Sequence, residues 1–209
     1  MKKNIKSLLL IFATVVLVAS CSAVKQFTEA LDNLRRVQFK IAGVSNFRLL
    51  GIDVTNKRKI SDFSVSDAMK LSNAFSSRKF PSEFILNVDA KNPNDASAQQ
   101  KSTNTTASIT NFDWRLIIDD VPTVNGNIAS PVSVPGKGQT VVIPLTVNVD
   151  LYEFFGKAGY DRVINLALAL AGEAGSSRLK LDAKPTVRIG NIPITYPGRI
   201  TIVDYEFRD

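Results

Sequence analysis

The 209-residue chain contains no histidine. That absence removes the commonest general base at neutral pH, the Ser-His-Asp triad and most zinc sites together. A single cysteine, Cys21, leaves no intrachain disulfide to form and no histidine-activated thiol elsewhere. No phosphate-binding glycine loop is present, because Gly136-Lys137-Gly138 lacks the surrounding spacing. Carboxylates are the remaining candidates for chemistry: Asp119 with Asp120, and Asp150 with Glu153, are the pairs a glycosidase would need. Neighbours such as Asp119 and Asp120 point to opposite faces of a strand, so a solvated hairpin end is the simpler expectation. The inventory predicts no catalytic residues, no metal site and no cofactor.

Long apolar runs are also scarce. The longest, Leu8 to Ala19, makes about 18 Å of helix against a hydrocarbon core of about 30 Å. It follows a basic start, Lys2, Lys3 and Lys6, and ends in small residues before Cys21, which is the layout of a secretory leader. Leu17-Val18-Ala19-Ser20-Cys21 resembles the lipobox of bacterial lipoproteins, in which the cysteine is acylated and becomes the mature N-terminus. The alternatives are an uncleaved anchor or a plain signal beside an accidental cysteine. The lipobox resemblance implies that Cys21 is the lipidation site. Two or three acyl chains there would make membrane attachment essentially permanent, since each buried methylene contributes about 0.8 kcal/mol. Ser22 follows the cysteine and no acidic run comes next. That pattern implies an exported protein on the periplasmic face of an outer membrane, where the host has one.

The formal charge of +7 is inflated by the leader, since removing residues 1–20 takes Lys+Arg from 26 to 23 against 19 acidic residues. The modest remainder gives no reason to expect nucleic acid as a partner. Its one cluster, Asn56-Lys57-Arg58-Lys59, reads as a solvated turn between two strands.

The mature chain divides into a tether, 21–37, and one domain, 38–209. Val24, Phe27, Leu31 and Leu34 form the stripe of a short amphipathic helix, which would pack on the domain base or lie on the bilayer. Beyond it, alternation of period two dominates. Phe84, Leu86, Val88 and Ala90 form one inward set; Phe112, Trp114, Leu116 and Ile118 form another; Val141, Ile143, Leu145, Val147, Val149 and Leu151 form a third. Pro144 on the outward set of that third run predicts an edge strand or a bulge. Asn125-Gly126 predicts a two-residue hairpin, and Pro135 to Gly138, Gly190-Asn191 and Pro197-Gly198 mark further turns. Many short strands at this spacing predict a mainly β sandwich. Two helices interrupt it: Ser64 to Phe75, capped by Ser64 or Ser66, and Tyr160 to Ala174, apolar on nearly all sides and therefore buried. Each helix precedes an Asp-Ala-Lys strand segment, at 89–91 and 182–184, a faint sign of duplication.

Phe84 to Asn94 with its Asn92-Pro93-Asn94 turn, then Trp114 to Asp120, Val124 to Ala129 and Val141 to Val147, resembles the late embryogenesis abundant type 2 family, the water stress and hypersensitive response domain. Leu179 to Gly190 and Ile192 to Arg199 resemble its closing strands, so the likeness covers residues 38–209. It implies a fibronectin type III/immunoglobulin-like β-sandwich with no catalytic residues to carry over, and a link to stress protection. Asn92, Pro93 and Asn94 then serve as a structural turn: Pro93 fixes φ and the asparagine side chains bond nearby backbone. The polar stretch Asp95 to Thr106 departs from the family's compactness and reads as an exposed loop.

Two functions compete. One is a non-catalytic, lipid-anchored envelope module that binds a macromolecular partner or protects the envelope under stress. The other is a periplasmic carrier of a lipid or other apolar ligand, held between the sheets or beneath the second helix, for which a cavity of several hundred Å3 would be needed. An enzyme would require a cleft with two convergent carboxylates.

Overall fold

Where apolar and polar residues alternate, the chain forms strands with one buried face. The computed structural model describes residues 36–94, 106–172, 178–189 and 192–204. The leader, Cys21, the stripe at 24–34, most of the loop at 95–106 and the Gly190-Asn191 turn lie outside these residues.

Ten antiparallel strands form two sheets. The first contains β1 (Gln38–Leu49), β2 (Ile52–Asp53), β3 (Pro81–Lys91) and β7 (Thr140–Asp150) in the order β2-β1-β3-β7. The second contains β4 (Ala107–Ile118), β5 (Val121–Gly126), β8 (Leu179–Ile189) and β10 (Ile200–Ile202) in the order β10-β8-β4-β5, with β6 (Val132–Val134) beside β4 and β9 (Ile192–Thr195) beside β8. The molecule is therefore a mainly β sandwich, with β1, β3 and β7 facing β5, β4, β8 and β10 in immunoglobulin-like Greek-key order. The predicted inward sets fill the space between the sheets: Phe84, Leu86 and Val88 from β3, Phe112, Trp114 and Leu116 from β4, and Ile143, Leu145 and Val147 from β7 are all buried. Ile41 N donates to Val203 O at 2.8 Å, stitching β1 to the end of β10 across the sandwich.

β7 is an edge strand, and its register with β3 runs from Pro81 opposite Asp150 to Lys91 opposite Thr140 without a shift, so Pro144 marks an edge and no bulge. Continuing that register, Leu151 N donates to Phe80 O at 3.0 Å. Hydrogen-bonded pairs alternate along an antiparallel ladder, so the odd-numbered residues of β7 bond to β3 and the even-numbered ones turn their N–H groups to the free edge. Pro144 thus removes a donor from the side where another strand would add.

Two expectations need correction. The β4–β5 hairpin turns at Asp119-Asp120, both at positive φ (46° and 65°), as a two-residue I′-like turn, and Asn125-Gly126 lies within β5. Gly126 is there for space: a Cβ on it would sit 2.4 Å from Cζ2 of buried Trp114. Leu151, the sixth inward residue of the third alternating run, is buried as expected but starts a helix.

The helices gather at one pole. α1 (Val65–Ser76) is capped by Ser64, whose Oγ accepts from Asp67 N at 3.1 Å. α2 (Leu151–Phe155), not foreseen, is capped by Asp150. α3 (Tyr160–Ala171) buries Val163, Ile164, Leu166, Ala167, Leu168 and Leu170, as its apolar composition predicts, and packs on β1 and α2. Phe75 of α1 meets Phe80, Tyr152 and Tyr160 edge-on at centroid distances of 6.2, 5.0 and 5.4 Å, which ties the three helices to the start of β3. β1 begins at the opposite pole; twelve residues at about 3.3 Å each put roughly 40 Å between the two ends. No helix among the described residues is long and apolar enough to cross a membrane.

Candidate functional site

Asn92-Pro93-Asn94 ends β3 at the pole where β1 begins, and its bonds reach across the sandwich. Asn92 is fully buried, and its Nδ2 donates to Val134 O of β6 at 3.2 Å. Its Oδ1 accepts from Asn94 N at 3.2 Å and from Asn94 Nδ2 at 2.8 Å. The backbone completes the clasp, with Gly138 N donating to Asn92 O and Lys137 N to Asn94 O, each at 2.9 Å. The turn after β6 can present those two amides because Lys137 and Gly138 adopt φ of 64° and 72°. The motif therefore bonds the end of the first sheet to a strand of the second. Its polar atoms face protein.

Three carboxylates of the candidate pairs bond to backbone or to cations. Asp150 Oδ1 accepts from Phe80 N at 2.8 Å and Tyr152 N at 2.9 Å, and is spent on the backbone. Asp119 pairs with Arg178 at 3.2 Å, and Asp120 pairs with Lys180, at the tip of the β4–β5 hairpin.

Two clefts open on the outer sheet faces. One, about 390 Å3, is bounded by Arg48, Glu83, Asn148 and Asp150 at the ends of β1, β3 and β7. The other, about 310 Å3, lies over β4 and β5 and holds Asp113, Arg115, Thr123 and Arg199. Arg199 bonds Asp113 at 2.8 Å and reaches Asp182 at 3.3 Å, while Arg115 pairs with the same Asp182. The bond to Asp113 holds the Arg199 guanidinium even more firmly protonated than usual. These charges neutralise one another and pin the turn before β10. Leu50, Gly51, Pro81 and Val149 also line the first cleft, so its lining is mixed, while Asp113, Arg115 and Arg199 make the second mainly polar; the inward side chains of α3 are buried.

The helical pole is different. Val65 is 81% exposed and Met69 62% exposed, one turn apart on the outer face of α1, with Ile60 of the preceding 3-10 turn also exposed. Sequence reasoning predicted this helix without assigning its faces: Val65 and Met69 are four apart and exposed, whereas Leu71 and Phe75, also four apart, face the core. That second spacing was the available signal. Asn56 to Lys59 lies beside the patch, between β2 and the 3-10 turn, and not between two strands. Asp62 Oδ2 accepts from Arg58 N at 2.8 Å and Lys59 N at 3.1 Å, so the backbone N–H groups of Arg58 and then Lys59 lower its pKa. Asp53 is lowered chiefly by the Thr55 amide. With these carboxylates turned to backbone, Lys59 and Lys70 stay at the surface near apolar side chains.

No family model matches the chain, and no curated protein matches it. Among solved structures, a protein from Archaeoglobus fulgidus, known from its crystal structure, is similar at 10% identity and a TM-score of 0.31, over 61% of this chain and 88% of that one. The sandwich assignment rests on the strand order and register of the chain itself.

Proposed function

We propose that this chain is a non-catalytic, lipid-anchored module of the cell envelope that presents a partner-binding face to other macromolecules. The observation that carries the reading is the pair Val65 and Met69, apolar side chains exposed to water on a helix whose other side packs Leu71 and Phe75 on the core. Neighbouring exposed apolar side chains are the part of a surface that a docking partner buries. Asp119, Asp120 and Asp150, three of the four carboxylates that might have argued for catalysis, are occupied as a cap and ion pairs, which supports a binding role. The lipobox-like run at Cys21 would anchor the chain, with the periplasmic face of an outer membrane as its site. Because β1 starts at the pole opposite α1, a compact tether would hold the Val65 face some 40 Å from the bilayer. The likeness to the late embryogenesis abundant type 2 family, with its link to stress, belongs to the same proposal.

The test uses the native lipoprotein in its own host, with a photo-crosslinking residue in place of Met69 and, separately, of Thr201 on the outer face of β10. A discrete adduct at Met69, absent at Thr201 and lost on Val65→Ser, is expected. Identical adduct patterns at both positions, or none at Met69, would end this reading. Mass spectrometry of the mature N-terminus decides the anchor independently, by the presence or absence of acyl chains on Cys21.

A further inference from the structure

The two poles differ in charge. At the pole where β1 begins, Arg36, Lys137 and Arg188 are exposed and Lys91 is half-buried with its chain beside Gly138. Among the described residues there, namely 36–39, 90–94, 106–109, 132–141, 187–189 and 192–194, no Asp or Glu occurs. The nearest carboxylate inward along β3, Asp89, is paired with Lys40 at 3.7 Å. In sequence the stretch 95–105 adds one aspartate and one lysine, and so leaves the balance unchanged. The opposite pole mixes signs, with Asp62, Asp67, Glu153 and Asp161 set among its cations.

The cationic pole is also where the chain arrives from Cys21. We propose that this pole is a docking surface for an anionic phospholipid bilayer, seating the domain upright on the membrane. The inference rests on the lipid-anchored reading for its biological setting and on the charge asymmetry for its physics. Fifteen residues, 22–36, lie between Cys21 and Val37, about sixteen Cα–Cα steps. A chain of that length can span about 20–25 Å when coiled and at most about 55 Å when fully extended. An anchored pole is therefore held within a few Debye lengths of the headgroups, where a weak contact is favoured by its high effective concentration. For the other pole to meet the bilayer, the tether would have to run to about three quarters of its full extension. Lys91 packing along the turn, and the clasp that fixes the turn itself, hold Lys137 outward. Cations placed this way act on anionic headgroups as juxtamembrane basic residues do, each strengthening binding about fivefold.

The test uses the mature chain with Cys21→Ser, so that no acyl chain contributes; residues 36–204, which contain every described element, are all retained. Binding to sedimenting vesicles of phosphatidylcholine alone is compared with binding to vesicles containing a third phosphatidylglycerol, at 50 and 500 mM salt. Binding that needs phosphatidylglycerol, fades at high salt, and drops about 25-fold in Lys137→Gln/Arg188→Gln is the expected result. Lys59→Gln/Lys70→Gln, at the other pole, should bind as the parent does, and its circular dichroism and that of the first variant should match the parent's. Equal binding to both vesicles, no loss in Lys137→Gln/Arg188→Gln, or a loss confined to the helical-pole variant would overturn the proposal. An unacylated Cys21 in the native host would remove the anchor while leaving a positive vesicle result intact, so the two failures are distinguishable.

Discussion

Replacing Asn92 by alanine removes the side-chain bonds of the clasp and leaves its backbone bonds alone to hold the turn. The lost side chain makes one bond to Val134 O and accepts two from Asn94, and it is fully buried. Each intramolecular hydrogen bond contributes a net of about 1 kcal/mol, and a buried acceptor left bare adds to the loss, so the destabilisation should be about 2–4 kcal/mol. For a unit of this size each kcal/mol moves the midpoint by about 2–4 °C, giving a drop in Tm of roughly 5–15 °C. Urea titration, followed by the fluorescence of the sole tryptophan, Trp114, reads the global cost as a shift in midpoint at constant slope. Amide hydrogen exchange reads the local one. Lys137 N and Gly138 N donate to Asn94 O and Asn92 O, so their protection should fall further than that of β4 amides. Asn94→Ala keeps the Asn92 bond to Val134 and should cost less. A loss below about 0.5 kcal/mol in Asn92→Ala, or unchanged protection at Lys137 and Gly138, would refute the claim that the motif joins the two sheets.

Other perturbations address single features. Gly126→Ala puts a methyl within 2.4 Å of Trp114 and should cost about 1–3 kcal/mol while shifting the tryptophan emission; an unchanged spectrum with unchanged stability counts against that packing. Pro144→Thr restores a backbone donor on the free edge of β7, beside the half-exposed Val142, and should increase self-association in sedimentation velocity; a variant as monodisperse as the parent at millimolar concentration argues against the edge assignment. Burial pushes the Tyr196 hydroxyl up to about 12, above its unfolded value near 10. The unfolded chain therefore ionises first, and stability present below pH 10 should be lost as pH rises toward 12. Tyr196→Phe should flatten that alkaline decline, and an identical decline in the variant would assign it to other groups.

Much of the sandwich was legible because one-sided burial writes itself into alternate residues. Phe84 to Ala90, Phe112 to Ile118 and Val141 to Val149 all face inward as their spacing predicts. Pro144 gave away the edge for the same local reason, a missing donor. The hairpin was misplaced because two rules competed for Asn125-Gly126. Glycine there serves a tryptophan twelve residues earlier, and Asp119-Asp120 accepts positive φ with help from ion pairs to Arg178 and Lys180. α2 was hidden in an apolar run whose first residue, Leu151, satisfies the strand pattern and the helix alike. The Asn-Pro-Asn turn was readable, but its bond to Val134, forty-two positions away, was not, since local spacing carries no record of which distant carbonyl will arrive. The exposed face of α1 was not legible because a short helix with few apolar residues fits more than one inward stripe.

The order in which the strands are made has its own consequence. The first sheet is complete once residue 150 exists, but β4 in the second waits for β8, whose partners lie 61 to 82 positions later. A chain emerging N-terminus first thus carries Ala107 to Ile118, one of its most apolar strands, with an open side until its last sixth is delivered. Any stall or truncation before Leu179 leaves that strand without its β8 partner, the kind of unpaired edge that chaperones and proteases engage.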